Sequence, residues 1–154
     1  MANRPDTHAR SMLPIPDRPK FGHTTYDAKD PETNFPPIEP LLPPEGAPNV
    51  LIVLLDDVGF GASTAFGGPC ATPNAEKLAA GGLSYNRCHT TALCAPTRAA
   101  MLSGRNHHSV AMGSITETAT SAPGNSSVRP NTKAPLAMTL KLNGYSTAQF
   151  GKCH

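Results

Sequence analysis

Tryptophan is absent from this 154-residue chain, and aromatic residues make up only 5% of it. Its basic residues are not interleaved with aromatic ones, as they are in many nucleic-acid-binding surfaces, so we expect no nucleic-acid partner. Long apolar runs are also missing. The longest, at 50–55, suits a buried strand and is too short to span a membrane, so we expect no membrane partner.

Paired cysteine spacing is a further absence. The four cysteines are too scattered for a zinc site or a disulfide framework; they are Cys70, Cys88, Cys94 and Cys153. The N-terminus also lacks a charged region followed by an apolar stretch, which argues against a signal peptide. Together these features predict a protein of the reducing cytoplasm.

Acidic residues are scarce in the later part of the chain. From residue 58 onward only Glu76 and Glu117 oppose eight lysines and arginines, although the whole chain carries a formal charge of only +2. This imbalance indicates either a generally basic surface or a pocket that receives an anion.

Proline is concentrated at the front of the chain, because eleven of the 17 prolines fall within the first 48 residues. Residues 1–47 show almost no apolar periodicity and are typical of an extended, proline-rich N-terminal arm. Residues 48–154 have the apolar runs and turn signals of a globular domain.

The domain shows alternating strand and helix patterns. An apolar run at 49–55 predicts a central strand, and a proline-started, glycine-ended segment at 72–82 predicts a helix. The remaining predictions are a strand at 83–89, a helix at 96–102, a long irregular loop at 105–134, a helix at 135–145 and a strand at 146–150. This order predicts an α/β fold with a parallel sheet.

Three polar clusters follow the three predicted strands. Asp56 and Asp57 follow the first strand, Cys94 follows the second, and Lys152 and His154 follow the third. Because ligand sites in open α/β sheets lie beyond the carboxyl ends of the strands, we expect these residues to converge on one site.

Asp56 and Asp57 have two interpretations. Adjacent carboxylates repel each other unless a cation neutralises them, which favours a divalent metal site. Asp-rich turns are also common at protein surfaces, so a solvated turn is the alternative.

Cys94 has three interpretations from its surroundings alone. A position just before a helix lowers the pKa of a thiol, and Arg98, one turn along, could hold an anion beside it. A catalytic pair with His89, His107 or His108 is a second option, although a surface role suits His107 and His108 better. A structural thiol is the third, and it is our interpretation for the other cysteines.

A family resemblance decides among these options. Cys94-Ala95-Pro96-Thr97-Arg98 resembles the C-x-P-x-R motif of formylglycine-dependent sulfatases, in the alkaline phosphatase superfamily, and residues 99–104 continue the pattern. Asp56-Asp57 resembles the first metal-binding pair of that family, and Gly151-Lys152-Cys153-His154 its G-K-x-H element. The arm and the cysteine in the last motif look more like large bacterial arylsulfatases than animal enzymes. The implied fold is a mostly parallel sheet flanked by helices, incomplete in this chain.

The resemblance implies hydrolysis of sulfuric esters, with aryl sulfates as substrates. A separate modifying enzyme would oxidise Cys94 to Cα-formylglycine, whose hydrate attacks the sulfur atom. Calcium, with magnesium as the alternative metal, would bind Asp56, Asp57 and the modified residue 94. Arg98 would orient the hydrate, Lys152 would bind the sulfate, and His154 would assist deprotonation.

The resemblance ends at His154 because the chain ends there. Sulfatases are several times longer, and their second metal-ligand pair and leaving-group histidine come from later segments. We therefore expect this N-terminal fragment to be inactive alone. The alternatives are a phosphonate monoester hydrolase or phosphodiesterase of the same superfamily, and a non-catalytic remnant in which Cys94 is never converted.

Overall fold

The structure is a computed structural model that describes residues 10–16, 22–23, 25–34 and 40–154. The described residues form three α-helices: α1 (Pro73–Gly81), α2 (Cys94–Ser103) and α3 (Leu136–Leu142). Short 3₁₀ turns lie at Thr64–Phe66, His107–Val110 and Thr116–Thr118. No helix in this part of the chain is long and apolar enough to cross a membrane.

Helix α1 begins where the sequence predicts it. Pro73 occupies the start of the helix, where a missing N–H costs nothing because the first turn has no acceptor for it. Thr72 is the residue before the helix, but its side chain makes no capping hydrogen bond. Instead, its hydroxyl lies 2.6 Å from that of Ser63. The helix therefore begins at the predicted place, although no side chain caps its start.

Helix α2 begins two residues earlier than predicted, so Cys94 is its first residue and does not precede it. Pro96 is accommodated in the first turn, where backbone N–H groups need no intrahelical partner. Thr97 secures the start, because its hydroxyl donates to the Leu93 carbonyl at 2.8 Å. The helix ends at Gly104, whose φ of 63° lies in the left-handed region that glycine adopts most readily.

The predicted parallel sheet is not confirmed among the described residues. The segments at 49–55, 83–89 and 146–150 are not strands, and one isolated parallel bridge joins Ser63 and Cys70. Leu51 and Val53, in the most apolar of these segments, are 87% and 72% exposed. A strand forms only when a neighbouring strand pairs its backbone groups, so the apolar pattern alone did not produce one.

The segment predicted as an irregular loop, 105–134, is instead partly folded and packed. Its 3₁₀ turn at His107–Val110 lies against α2, and Val110 is almost fully buried. Val110 forms the described core together with Ala95 and Met112. Because Ala95 directly follows Cys94, this core supports the first turn of α2.

The chain divides into two compact units. One unit contains Val50–Lys133 and Lys152–His154, and therefore α1, α2 and all residues predicted for the site. The other contains the described residues up to Asn49 together with Ala134–Gly151. In this division, α3 groups with the described part of the arm.

In the second of these units, the proline-rich arm contacts the end of α3. Arg10 donates from Nη1 to the Asn143 carbonyl at 2.9 Å and from Nη2 to the Leu42 carbonyl at 2.7 Å. A helix C-terminus leaves carbonyl groups without intrahelical donors, and a guanidinium satisfies them well. The next residue, Gly144, adopts a φ of 89° directly beside Leu42.

Candidate active site

The first turn of α2 places Cys94 and Arg98 on one face of the helix. The two residues are four positions apart, the spacing at which helical side chains are neighbours. Cys94 is a partly buried thiol, and the side chain of Arg98 is only 8% exposed. Nε of Arg98 is buried without a hydrogen-bond partner among the described residues. The arginine is therefore fixed through its two terminal nitrogens.

Arg98, Asp56 and Lys152 form one network of charged groups. Arg98 Nη2 donates to Asp56 Oδ1 at 2.9 Å, and Lys152 Nζ donates to Asp56 Oδ2 at 2.8 Å. Arg98 Nη1 also donates to the Lys152 carbonyl at 2.7 Å. The structure thus brings together three of the predicted site residues, although Asp56 and Lys152 lie 96 positions apart in the sequence.

The network shifts two pKa values. The hydrogen bond from Lys152, and then that from Arg98, lowers the pKa of the Asp56 carboxyl group below 3.8, because both stabilise the ionised form. The hydrogen bond to Asp56 raises the pKa of Lys152 above 10.5, and a side-chain hydrogen bond with Cys94 adds to this shift. Lys152 is therefore the cation that balances the Asp56 carboxylate in this network.

A cleft of about 360 Å³ opens beside this network. Its walls are two chain segments, 54–59 and 90–94, together with Thr97 and Arg98. Asp56, Asp57 and Cys94 all line it, so both predicted carboxylates face the same cleft as the predicted nucleophile precursor. Its lining does not include His89, His107 or His108, the histidines considered as partners for the thiol.

The surroundings of these three histidines bear on whether one of them pairs with Cys94. Nδ1 of His107 lies 2.9 Å from the Met112 carbonyl, and the rings of His107 and His108 have centroids 4.2 Å apart. His89 is exposed. These contacts agree with a structural or surface role for the His107-His108 pair.

Asp57 follows Asp56 in a turn and adopts a φ of 53°. This left-handed conformation is uncommon outside glycine, and aspartate tolerates it better than most residues. The turn reverses the backbone directly after Asp56 and leaves both carboxylates at the cleft.

His154 belongs to the same compact unit but is not among the residues that line the cleft. Its side chain is 15% exposed, and its Nε2 lies 3.8 Å from Oε2 of Glu117. No role for Glu117 was predicted from the sequence. Its only distinguishing signal was that it is one of two acidic residues after position 57.

The site offers the type of ligand atom that calcium prefers, but too few of them for a complete coordination shell. The carboxylates of Asp56 and Asp57 are the hard oxygen ligands that calcium prefers. However, the described residues contain no cluster of three aspartate, glutamate, histidine or cysteine side chains able to hold a metal. Both oxygens of Asp56 also accept hydrogen bonds from cationic side chains. Together, Asp56 and Asp57 supply part of a metal shell.

Comparisons with known proteins give the family. The model of the Sulfatase family matches residues 48–154. An uncharacterized sulfatase of Schizosaccharomyces pombe is 34% identical over 114 residues, which are 70% of this chain and 21% of that protein. Bovine arylsulfatase A is 38% identical over 112 residues, again 70% of this chain and 21% of the relative.

Human steryl-sulfatase is 37% identical over 111 residues, 70% of this chain and 19% of that enzyme. No solved structure matches the chain. This chain spans about a fifth of the length of these curated relatives, at 19–21%. The match covers the segment that contains the charged network and the cleft, and the chain belongs to the sulfatase family of sulfuric ester hydrolases.

Proposed function

We propose that residues 48–154 are the N-terminal part of an arylsulfatase catalytic domain in which Cys94 is converted to Cα-formylglycine. Because the chain spans about a fifth of its relatives, hydrolysis of aryl sulfates is proposed for a catalytic domain of their length. The observation that carries the proposal is the network that joins Asp56 to Arg98 and Lys152, because Asp56 and Arg98 line the same cleft as Cys94.

The charges of this cleft support an anionic substrate. The positive charges of Arg98 and Lys152 balance the negative charges of Asp56 and Asp57, so a bound divalent cation would make the site positive. A sulfate monoester carries a single negative charge and would be attracted to such a site. The ammonium group of a lysine is charged at neutral pH, and the hydrogen bond to Asp56 raises the pKa of Lys152 further.

Each residue has a proposed role. The formylglycine would supply the nucleophilic hydroxyl, and a calcium ion held by Asp56, Asp57 and residue 94 would act as a Lewis acid. Lys152 Nζ, which donates to Asp56 Oδ2 at 2.8 Å, would bind sulfate oxygens. Arg98 would hold Asp56 in place through its 2.9 Å hydrogen bond. His154 would accept a proton at one ring nitrogen.

Conversion of Cys94 is the most direct test. The chain is expressed with a formylglycine-generating enzyme and alkylated, and the tryptic peptide from Cys88 to Arg98 is analysed by mass spectrometry. We expect residue 94 to have exchanged its sulfur and two hydrogens for one oxygen. Cys88 in the same peptide should be alkylated, which makes it an internal control. An alkylated thiol at position 94 would contradict the proposal and favour the non-catalytic alternative.

The second candidate function is hydrolysis of phosphonate monoesters or phosphodiesters. A comparison of substrates distinguishes it from aryl sulfate hydrolysis. Both substrate classes carry one negative charge, so the electrostatics of the cleft do not distinguish them. A protein that contains this segment in a full-length catalytic domain should turn over a nitrophenyl sulfate faster than the matching phosphate diester. The opposite order would replace the arylsulfatase proposal with the phosphorus-directed one.

Three further expectations belong to this proposal. The isolated 154-residue chain should hydrolyse no aryl sulfate measurably, because Asp56 and Asp57 supply only two of the roughly six to eight oxygen ligands of calcium. Limited proteolysis should cut between the arm and the domain near residue 48. Cell fractionation should place the protein in the cytoplasm, as its cysteine content predicts.

A further inference from the structure

The two ring nitrogens of His154 have different surroundings. Nε2 lies 3.8 Å from Oε2 of Glu117, which is an ion-pair distance and longer than a direct hydrogen bond. Nδ1 is buried and has no hydrogen-bond partner among the described residues. Nε2 therefore faces a carboxylate, whereas Nδ1 has no described group to which it donates or from which it accepts a hydrogen bond.

Glu117 is held in place by its own turn. The hydroxyl of Thr116 donates to Glu117 Oε2 at 3.1 Å, the same oxygen that faces His154. The backbone N–H of Thr118 donates to the Ile115 carbonyl at 3.1 Å, which closes the 3₁₀ turn around Glu117. Ile115 packs against the core beneath the first turn of α2. The carboxylate is therefore anchored to the scaffold that carries Cys94.

We propose that Glu117 is a positioning residue that fixes the tautomer of His154. A neutral imidazole carries its proton on one nitrogen and a lone pair on the other, and a nearby carboxylate favours the N–H that points towards it. Glu117 thus keeps the proton on Nε2 and leaves the lone pair on the buried Nδ1. Nδ1 is then the nitrogen that accepts a proton. This consequence for catalysis rests on the proposed function, whereas the tautomer itself does not.

The tautomer is measured by ¹⁵N chemical shifts of the histidine ring in the 154-residue chain above the titration range of histidine. The signals of His154 are assigned by comparison with His154→Gln. The parent chain should show mainly the Nε2–H form. In Glu117→Gln, which keeps the shape and removes the charge, the ratio of Nε2–H to Nδ1–H should fall by about twofold or more, as expected for a largely exposed carboxylate.

Two further variants make the test specific. Glu117→Ala should change the ratio in the same direction, which shows that the carboxylate and not the substituted amide is responsible. Glu76→Gln removes the other acidic residue of this basic region, at an exposed position on α1, and should leave the ratio unchanged. Equal ratios in the Glu117→Gln and Glu76→Gln chains would overturn the inference, as would a parent chain that is mainly Nδ1–H.

Failure of the proposed function gives a different result. It is seen as an unconverted thiol at Cys94 in the mass spectrum, which does not depend on Glu117. A chain with an intact thiol and a Glu117-dependent tautomer would contradict the formylglycine proposal and leave the positioning role standing. A converted Cys94, together with a His154 tautomer that is unchanged in Glu117→Gln, would support the formylglycine proposal and contradict the positioning role of Glu117.

Discussion

The substitution Val110→Ala tests whether the small core beneath α2 stabilises the site. Val110 is 1% exposed and packs with Ala95 and Met112. Removing two methyl-sized groups from this position loses about 1.6 kcal/mol of transfer free energy, at about 0.8 kcal/mol for each group. Incomplete collapse of the cavity adds to this cost, so we expect the free energy of unfolding to fall by about 2–3 kcal/mol.

Urea denaturation followed by circular dichroism measures this loss, provided that the slope against urea concentration stays constant. Val128→Ala is the matched control, because Val128 belongs to the same compact unit and is 72% exposed. It should change stability by no more than about 0.5 kcal/mol. Equal losses in the two variants would refute the assignment of Val110 to a stabilising core.

A local measurement connects the same substitution to the turn at His107–Val110. The N–H of Met112 donates to the His107 carbonyl at 2.8 Å, and this hydrogen bond lies beside the missing methyl groups. Its amide should exchange with solvent faster in Val110→Ala than in Val128→Ala, because the turn opens more often.

Three other substitutions have expected outcomes. Arg10→Ala should lower the free energy of unfolding by about 1–3 kcal/mol, because it removes hydrogen bonds to two carbonyl groups. Arg10→Lys should restore only part of this loss. Equal melting temperatures of the parent chain and Arg10→Ala would argue against this contact. Gly144→Ala should destabilise the fold more than Gly104→Ala in thermal melts. Both positions have left-handed φ values, but of the two only a Cβ at 144 would meet backbone atoms, those of Leu42 and Pro43. Lys152→Met should raise the pKa of Asp56 towards 3.8 in an NMR titration. Because the pKa of Asp56 is lower in the folded chain than in the unfolded one, its ionised form stabilises the fold above pH 3.8. This stabilisation is lost as the pH falls through the folded-state pKa. The Lys152→Met chain has less of it to lose, so its free energy of unfolding should fall less than that of the parent chain on acidification.

The helices were predictable because local residues define their ends. Pro73 begins α1 and Gly104 ends α2 for reasons of backbone geometry that involve only neighbouring residues. The exact start of α2 was not predictable in this way. The hydrogen bond from the Thr97 hydroxyl to the Leu93 carbonyl lies at the start of α2, which includes Cys94. Residues that typically start or end a helix do not reveal such a hydrogen bond.

The sheet was a different case because strands depend on distant partners. A sulfatase domain implies an alkaline phosphatase-like α/β fold, yet the described residues pair at only one bridge, between Ser63 and Cys70. The apolar residues of 50–55 have the composition of a buried strand and remain exposed. Periodicity describes which surface a segment could bury, whereas burial itself requires a second surface.

The family, the three helices and the residues proposed to carry the chemistry could be predicted from the sequence, because motif spacing and the residues that start and end helices are local properties. Which of these residues meet depends on the tertiary structure. It joined Asp56 to Arg98 and Lys152, packed the segment around Val110 against α2, and placed Glu117 beside His154. These contacts join residues between 15 and 96 positions apart, and their formation depends on how the chain packs, which no short stretch of sequence specifies.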